Sequence, residues 1–316
     1  MLAIKIDQIS CPFVLSTWTE EDYEKPLSIS NGDWKADFIL ECPKYSLQIE
    51  INMIARGCLL IHINDPRVSL ISGLNKENDE VSNNAAFYIF EIYKEAMRQY
   101  VGYSRLFLNL QNIFQNDARF NELFYEDSFG HQKVSWKINE EEFKPFILSR
   151  KEKAQIHPEF GTEKLLSPEK WEKLQDFIND NPAPTKEIES LLALKQKAAW
   201  NEKRIAVIES ATLIEYIIKQ KIVKVLTSQG LDKKKIKEIK RSLGVFVLLN
   251  LLIPLSISRE EYEKQENHIN NINKLVKVRN AIIHDGLEED KVESELVSNG
   301  IASAVTFVVF LNNKFS

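Results

Sequence analysis

The 316-residue chain is predicted to be an α+β protein, with a β-containing N-terminal domain over residues 1–181 and an all-α helical bundle over residues 186–316. Three observations predict it. Short β-branched and aromatic runs, broken by turn residues, fill roughly the first 70 positions. From Thr185 onward, apolar residues recur at three- and four-residue spacing. Between the two lies Asn181-Pro182-Ala183-Pro184, where two prolines forbid a continuing helix and push the residues before them out of helical geometry.

Charge changes at the same place. Residues 1–185 carry 20 Lys and Arg against 29 Asp and Glu, whereas residues 186–316 carry 21 against 17. The two halves are therefore expected to do different jobs, and the net charge of −5 argues against a protein that coats nucleic acid with its whole surface. A composition of 44% apolar and 28% charged residues, with a mean hydropathy of −0.28, is that of an ordinary globular chain. At this length the chain buries roughly 70% of its unfolded surface without needing a disulfide or a metal. Cys11, Cys42 and Cys58 are isolated in sequence, which fits a reducing cytoplasmic setting and no zinc site. No secretory leader is expected at Met1–Ser10. The apolar run Ile301–Leu311 falls short of the roughly 20 residues that cross a bilayer, so it reads as a buried helix and no membrane partner is expected.

Taken in order, the expected strands are Phe13–Trp18, Ala36–Glu41, Ser46–Ile54 and Cys58–Ile63, with turns at Asn31-Gly32, Arg56-Gly57 and Asp65-Pro66. The period then changes. Phe87, Phe90, Met97 and Val101 predict a helix from Asn84 to about Tyr100, and Ser167-Pro168 opens another that runs to about Asn179. Thr185 to Ser228 is one long helix or two with a break near Asn201, stopping at Gly230. A further element spans about Asp232–Leu252 and halts before Pro254. Ser258 and Glu261 form a capping-box pattern that opens a helix to His284, with Gly286 just beyond it. A last helix covers about Lys291–Asn312.

The chemistry-bearing segment is Val278-Arg279-Asn280-Ala281-Ile282-Ile283-His284-Asp285-Gly286. Histidine titrates near neutrality and can take or give a proton, while the permanently charged fork of arginine suits a phosphate. Asn280 lies one turn before His284 on the same helical side, placed to orient the imidazole or to donate to a phosphate. Arg-to-His spacings of similar length also occur at Arg56 to His62 and Arg150 to His157, but only Arg279 to His284 has a polar second residue, an apolar filling and a helix end.

This segment resembles the signature of the HEPN family. The stretch Ala206 to Tyr216 is similar to the helix that packs against it there. The resemblance covers residues 186–316. It implies a metal-independent endoribonuclease without cofactor, in which two copies of the chain bring both Arg/His pairs to one cleft and cut RNA to leave a 2′,3′-cyclic phosphate. Arg279, His284 and Asn280 would be the catalytic residues. A bacterial anti-phage defence or toxin setting, such as abortive infection, is implied too. The acidic half would then sense an unknown trigger or restrain activity.

Other readings stay open. Arg279 pairs with Glu209 or Glu215 while His284 simply caps its helix, or those two acids support the site, or they face solvent. Lys233, Lys234, Lys235, Lys237, Lys240 and Arg241 form the densest basic stretch, either a solvated face or a track for an RNA backbone. The bundle could also be a non-catalytic nucleotide- or RNA-binding and dimerisation module. A toxin silenced by nucleotidyl transfer onto a tyrosine is disfavoured, because Gly286 stands where that subgroup has tyrosine. His62, His131, His157 and His268 lack partners at metal-ligand spacing, and Glu140-Glu141-Glu142 reads as a helix start or exposed loop. No phosphate-binding loop or H-E-x-x-H motif is present.

Overall fold

A computed structural model describes residues 1–15, 25–40, 54–64, 66–76, 80–110, 133–146, 165–166, 168–199 and 202–315. The expected strand Ser46–Ile54 lies outside them except for Ile54. So do the end of Phe13–Trp18, Glu41, Cys42, Asp65, His131, Arg150, His157 and Ser167, and the side chains of Cys11, Arg56, Lys233 and Lys240. The protein is α+β and forms two compact units. The first holds residues up to Ser104 and those up to Ala183; the second holds Pro184–Ser316 together with the end of one long helix from Arg105.

The first unit is built on a sheet. Its strands are β1 (Leu2–Leu15), β2 (Leu27–Asn31), β3 (Trp34–Leu40), β4 (Ile54–Ile63), β5 (Val134–Ile138) and β6 (Lys144–Pro145), with β7 (Leu165–Leu166) pairing with β1 in parallel. The order is β2-β3-β4-β1-β5-β6, and every other pairing is antiparallel. β1 was not expected as a strand before Phe13. Its alternation of Leu2, Ile4 and Ile6 with Lys5 and Asp7 nevertheless places three apolar side chains in the core and the charges on the other face. The turn at Asn31-Gly32 joins β2 to β3, with Gly32 at φ +53°.

Arg56-Gly57 is not a turn. Gly57 sits inside β4, paired with Ile9 of β1 on one side and Leu40 of β3 on the other. A Cβ at Gly57 would meet the Ile39 carbonyl oxygen at 2.6 Å and the Phe38 ring at 2.9 Å, so glycine is needed there for close approach and not for reversal.

One face of the sheet is apolar. Phe38 stacks on Tyr100 at 4.6 Å between ring centroids, and Trp171 lies 6.3 Å from both. These rings join the sheet to α2 (Glu80–Leu110) and α3 (Pro168–Asp180); a short α1 (Val68–Gly73) precedes them. Helix α2 extends well past the expected Tyr100. The other face is polar: Asp37 accepts a hydrogen bond from Ser28 Oγ, pairs with Lys35 at 2.8 Å and lies 3.6 Å from His62. Burial lowers the His62 pKa, and Asp37 opposes that shift. Glu140 to Glu142 form an exposed turn and loop after β5.

The second unit is a helical bundle of α4 (Lys186–Ala199), α5 (Lys203–Ser228), α6 (Lys233–Ser242), α7 (Val245–Ser256), α8 (Arg259–His284) and α9 (Ser294–Lys314). Thr185–Ser228 is thus two helices, and Gly230 follows with φ +81°. The expected single element at Asp232–Leu252 divides at Leu243-Gly244 and runs past Pro254. The widened turn Leu248–Leu252, where the Ile253 N–H reaches back five residues to the Leu248 carbonyl, accommodates the proline in the last turn of α7.

Helix α9 is apolar and long enough to cross a membrane by length and composition alone. In the bundle it packs against α4, α5 and α8, and Val297, Ile301, Phe307 and Leu311 are fully buried. Gly300 lets it approach α8 closely, since a Cβ there would lie 2.9 Å from Leu275 Cβ. The C-terminal end of α2 is fixed in the same unit: Asn109 donates to the Ala302 carbonyl at 3.3 Å and accepts from Lys195 at 3.0 Å.

Candidate functional site

Helix α8 carries the candidate residues, and both of its ends are specified locally. At its start Ser258 Oγ accepts from the Glu261 N–H at 3.2 Å, while the Glu261 carboxylate accepts from the Ser258 N–H at 2.9 Å, so both halves of the capping box form. The same carboxylate holds Lys314 at 2.8 Å, tying the start of α8 to the end of α9. At its finish Asp285 and Leu287 both donate backbone N–H bonds to the Ala281 carbonyl, and Gly286 takes φ +68°. Ile269, Ile272, Leu275, Val276 and Ile282 anchor the buried side of the helix.

On the outer side, Asn280 and His284 are exposed one turn apart. Arg279 is partly buried. At about 100° per residue it projects about 100° from Asn280 and about 140° from His284. Its guanidinium closes part of that gap, because Nη1 donates to Asn280 Oδ1 at 3.1 Å. The three predicted residues therefore form one surface group at the C-terminal end of α8, with Asn280 between the cation and the imidazole.

Glu209 and Glu215 do not join them. Glu209 pairs with Lys197 at 3.1 Å and Glu215 with Lys219 at 2.6 Å. Among the described residues no carboxylate pairs with Arg279, so its charge is available to an external anion. The segment after His284 is secured separately: the Glu289 carboxylate accepts from the Arg204 N–H at 3.2 Å, and Lys203 Nζ donates to the Val292 carbonyl at 2.9 Å.

Two cations escaped the sequence reading. Lys274 and Lys277 are exposed on α8, and no carboxylate among the described residues pairs with them. Lys277 falls within about 60° of Asn280 and His284 around the helix. The signal was present in the three- and four-residue spacing of Lys277, Asn280 and His284 itself.

The basic stretch forms helix α6, capped by Asp232, whose side chain accepts from the Lys234 N–H at 3.0 Å. It packs on α5 through Ile236, leaving Lys234, Lys235, Lys237 and Arg241 exposed. Elsewhere, His268 is half-buried with its pKa lowered by burial. No group of three or more His, Cys, Asp or Glu side chains suited to a metal ion occurs among the described residues.

Comparisons with protein-family models, with curated proteins and with solved structures returned no match for this chain.

Proposed function

We propose that the protein is an endoribonuclease that works as a homodimer and cleaves RNA by internal attack of the ribose 2′-hydroxyl. The observation that carries this reading is the grouping of Arg279, Asn280 and His284 on one exposed helix end, with the guanidinium drawn towards Asn280 and paired with no carboxylate among the described residues.

The chemistry follows from the side chains. Neutral His284 takes the proton of a 2′-hydroxyl, whose oxygen attacks the adjacent phosphorus. Arg279 balances the charge that accumulates on the non-bridging oxygens. The bond to the 5′-oxygen breaks, and that oxygen receives a proton from an imidazolium. The products are a 2′,3′-cyclic phosphate and a 5′-hydroxyl, with one proton moved from one to the other.

Two proton steps call for two acid–base groups, and each chain offers one histidine here. A second copy supplies the other. Ile283 on α8, together with Ile205 and Tyr216 on the adjoining α5, provides exposed apolar positions for that copy to cover. Lys274 and Lys277 extend positive charge along α8 from the group and suit the backbone of an RNA strand.

Incubating the full chain with total RNA in EDTA tests the reading. The expected result is fragments ending in 2′,3′-cyclic phosphate, with cleavage abolished in His284→Ala and in Arg279→Ala while the fold and dimer persist. Equal behaviour of all three proteins overturns it and leaves a binding and dimerisation module. Induced expression in bacteria gives a second readout, with growth arrest relieved by His284→Ala.

A further inference from the structure

We propose that helices α6 and α7 together form a seat for an anionic membrane surface, with cations of α6 at the lipid headgroups and an apolar stripe of α7 in the acyl boundary. Three large apolar side chains of α7 face solvent: Phe246 at 61% exposure, Leu251 at 54% and Leu255 at 76%. Five and four residues separate them in turn. In a regular α-helix the five-residue step would swing Leu251 away from Phe246, but the turn Leu248–Leu252 bonds five residues back and brings the two towards one side. The opposite side is committed, since Val245, Leu248, Leu249 and Ile253 are buried and Asn250 exchanges side-chain amide bonds with Asn273 of α8 at 2.9 and 3.2 Å. The stripe is therefore held outward by packing behind it.

What covers the stripe is indicated by its neighbour. Only Leu243 and Gly244 separate α7 from α6, and both helices pack on α5, so their outer sides both turn away from that helix. The outer side of α6 presents Lys234, Lys235, Lys237 and Arg241, none with a carboxylate partner among the described residues, and a single exposed acid, Glu238, among them. Contiguous cations and exposed apolar side chains match a lipid surface that is negative at its headgroups and apolar beneath them. RNA would satisfy the cations and a base could stack on Phe246, but RNA leaves Leu251 and Leu255 in water. A surface seat needs no membrane-spanning helix, so the proposal does not depend on α9, which is long enough to span but packs within the bundle.

The test is sedimentation of the full chain with phosphatidylcholine vesicles, with and without phosphatidylserine. Binding is expected only to the anionic vesicles and should weaken as salt rises. Each of Lys234→Gln, Lys237→Gln and Arg241→Gln should weaken it about fivefold, and the double variant Leu251→Ser, Leu255→Ser should abolish it. Phe246→Trp adds a readout that does not depend on losing anything: its emission should shift to shorter wavelength on anionic vesicles alone. Three outcomes overturn the proposal. They are no binding to anionic vesicles, binding indifferent to the double leucine variant, and retention of RNA on α6 that the lysine variants abolish while vesicles bind neither protein.

Discussion

Arg279 donates from Nη1 to Oδ1 of Asn280 at 3.1 Å, and this single bond carries its positive charge part of the way around α8 towards His284. In the proposed reaction Asn280 would thereby position the guanidinium. Asn280→Ala should lower the rate of cleavage about 10- to 100-fold without changing the melting temperature, since misplacing a charge by about 1 Å has effects of that size. The defect should fall on kcat more than on KM. An Asn280→Ala protein with wild-type kcat would remove Asn280 from the site.

The capping box sets where α8 begins. Ser258→Ala should destabilise the bundle by about 1 kcal/mol in urea denaturation at pH 7.

The partner residue of that box gives the effect a pH dependence. The hydrogen bond from Lys314, followed by that from the Ser258 N–H, lowers the Glu261 pKa to about 2. A carboxyl whose pKa is depressed by folding contributes stability above its unfolded value, and the contribution is lost as pH falls through the folded one. The acid limb contributed by this group therefore runs from about 4.5 down to about 2, and it should vanish in Glu261→Gln when the two proteins are compared by thermal melting.

Lys195 gives an alkaline counterpart. Burial lowers its pKa to about 8 although Asn109 accepts its hydrogen bond. Below that pH the amine is charged in both states and folding bears the loss of its hydration. Stability from this group should rise as pH climbs from about 8 to about 10.5, by roughly 3 kcal/mol. Lys195→Met should flatten that rise relative to wild type in chemical denaturation.

Gly57 tests the sheet. Gly57→Ala should cost roughly 1–3 kcal/mol, through the overlap of its Cβ with the Ile39 carbonyl oxygen and the Phe38 ring. A neutral effect would show that β3 and β4 can separate there.

These residues also show what can be read from a linear sequence. Helix α8 was legible because its signals are local: Ser258 with Glu261 at one end, Gly286 at the other, and a regular apolar period between. The burial of α9 followed in the same way, whereas the apolar spacing of Thr185–Ser228 fitted one helix as well as the two, α4 and α5, that form. Where reading failed, a local signal had a second physical meaning. Gly57 looks like a turn glycine, yet it serves close packing between strands. Pro254 looks like a stop, yet a widened turn absorbs it. That turn also breaks the helical period, which is why no spacing rule identifies Phe246, Leu251 and Leu255 as a shared outer side. Asn280 was expected to serve His284 or phosphate, and its bond to Arg279 requires coordinates to see. The alternation of Ile4 and Ile6 with Lys5 and Asp7 is a strand signal as well, but four residues are too few to fix a period.

The ends of α2 bear on how the protein can be cut. A fragment begun at the proline linker would lack Arg105–Leu110, and with it the Asn109 amide that bridges Lys195 and the Ala302 carbonyl. An excised bundle would lose one acceptor of the Lys195 amine and one donor to the Ala302 carbonyl, which would keep its bond from Thr306 Oγ1, a loosening that the intact polypeptide never carries. Expression trials of that half alone should therefore be judged against a version that restores those upstream residues.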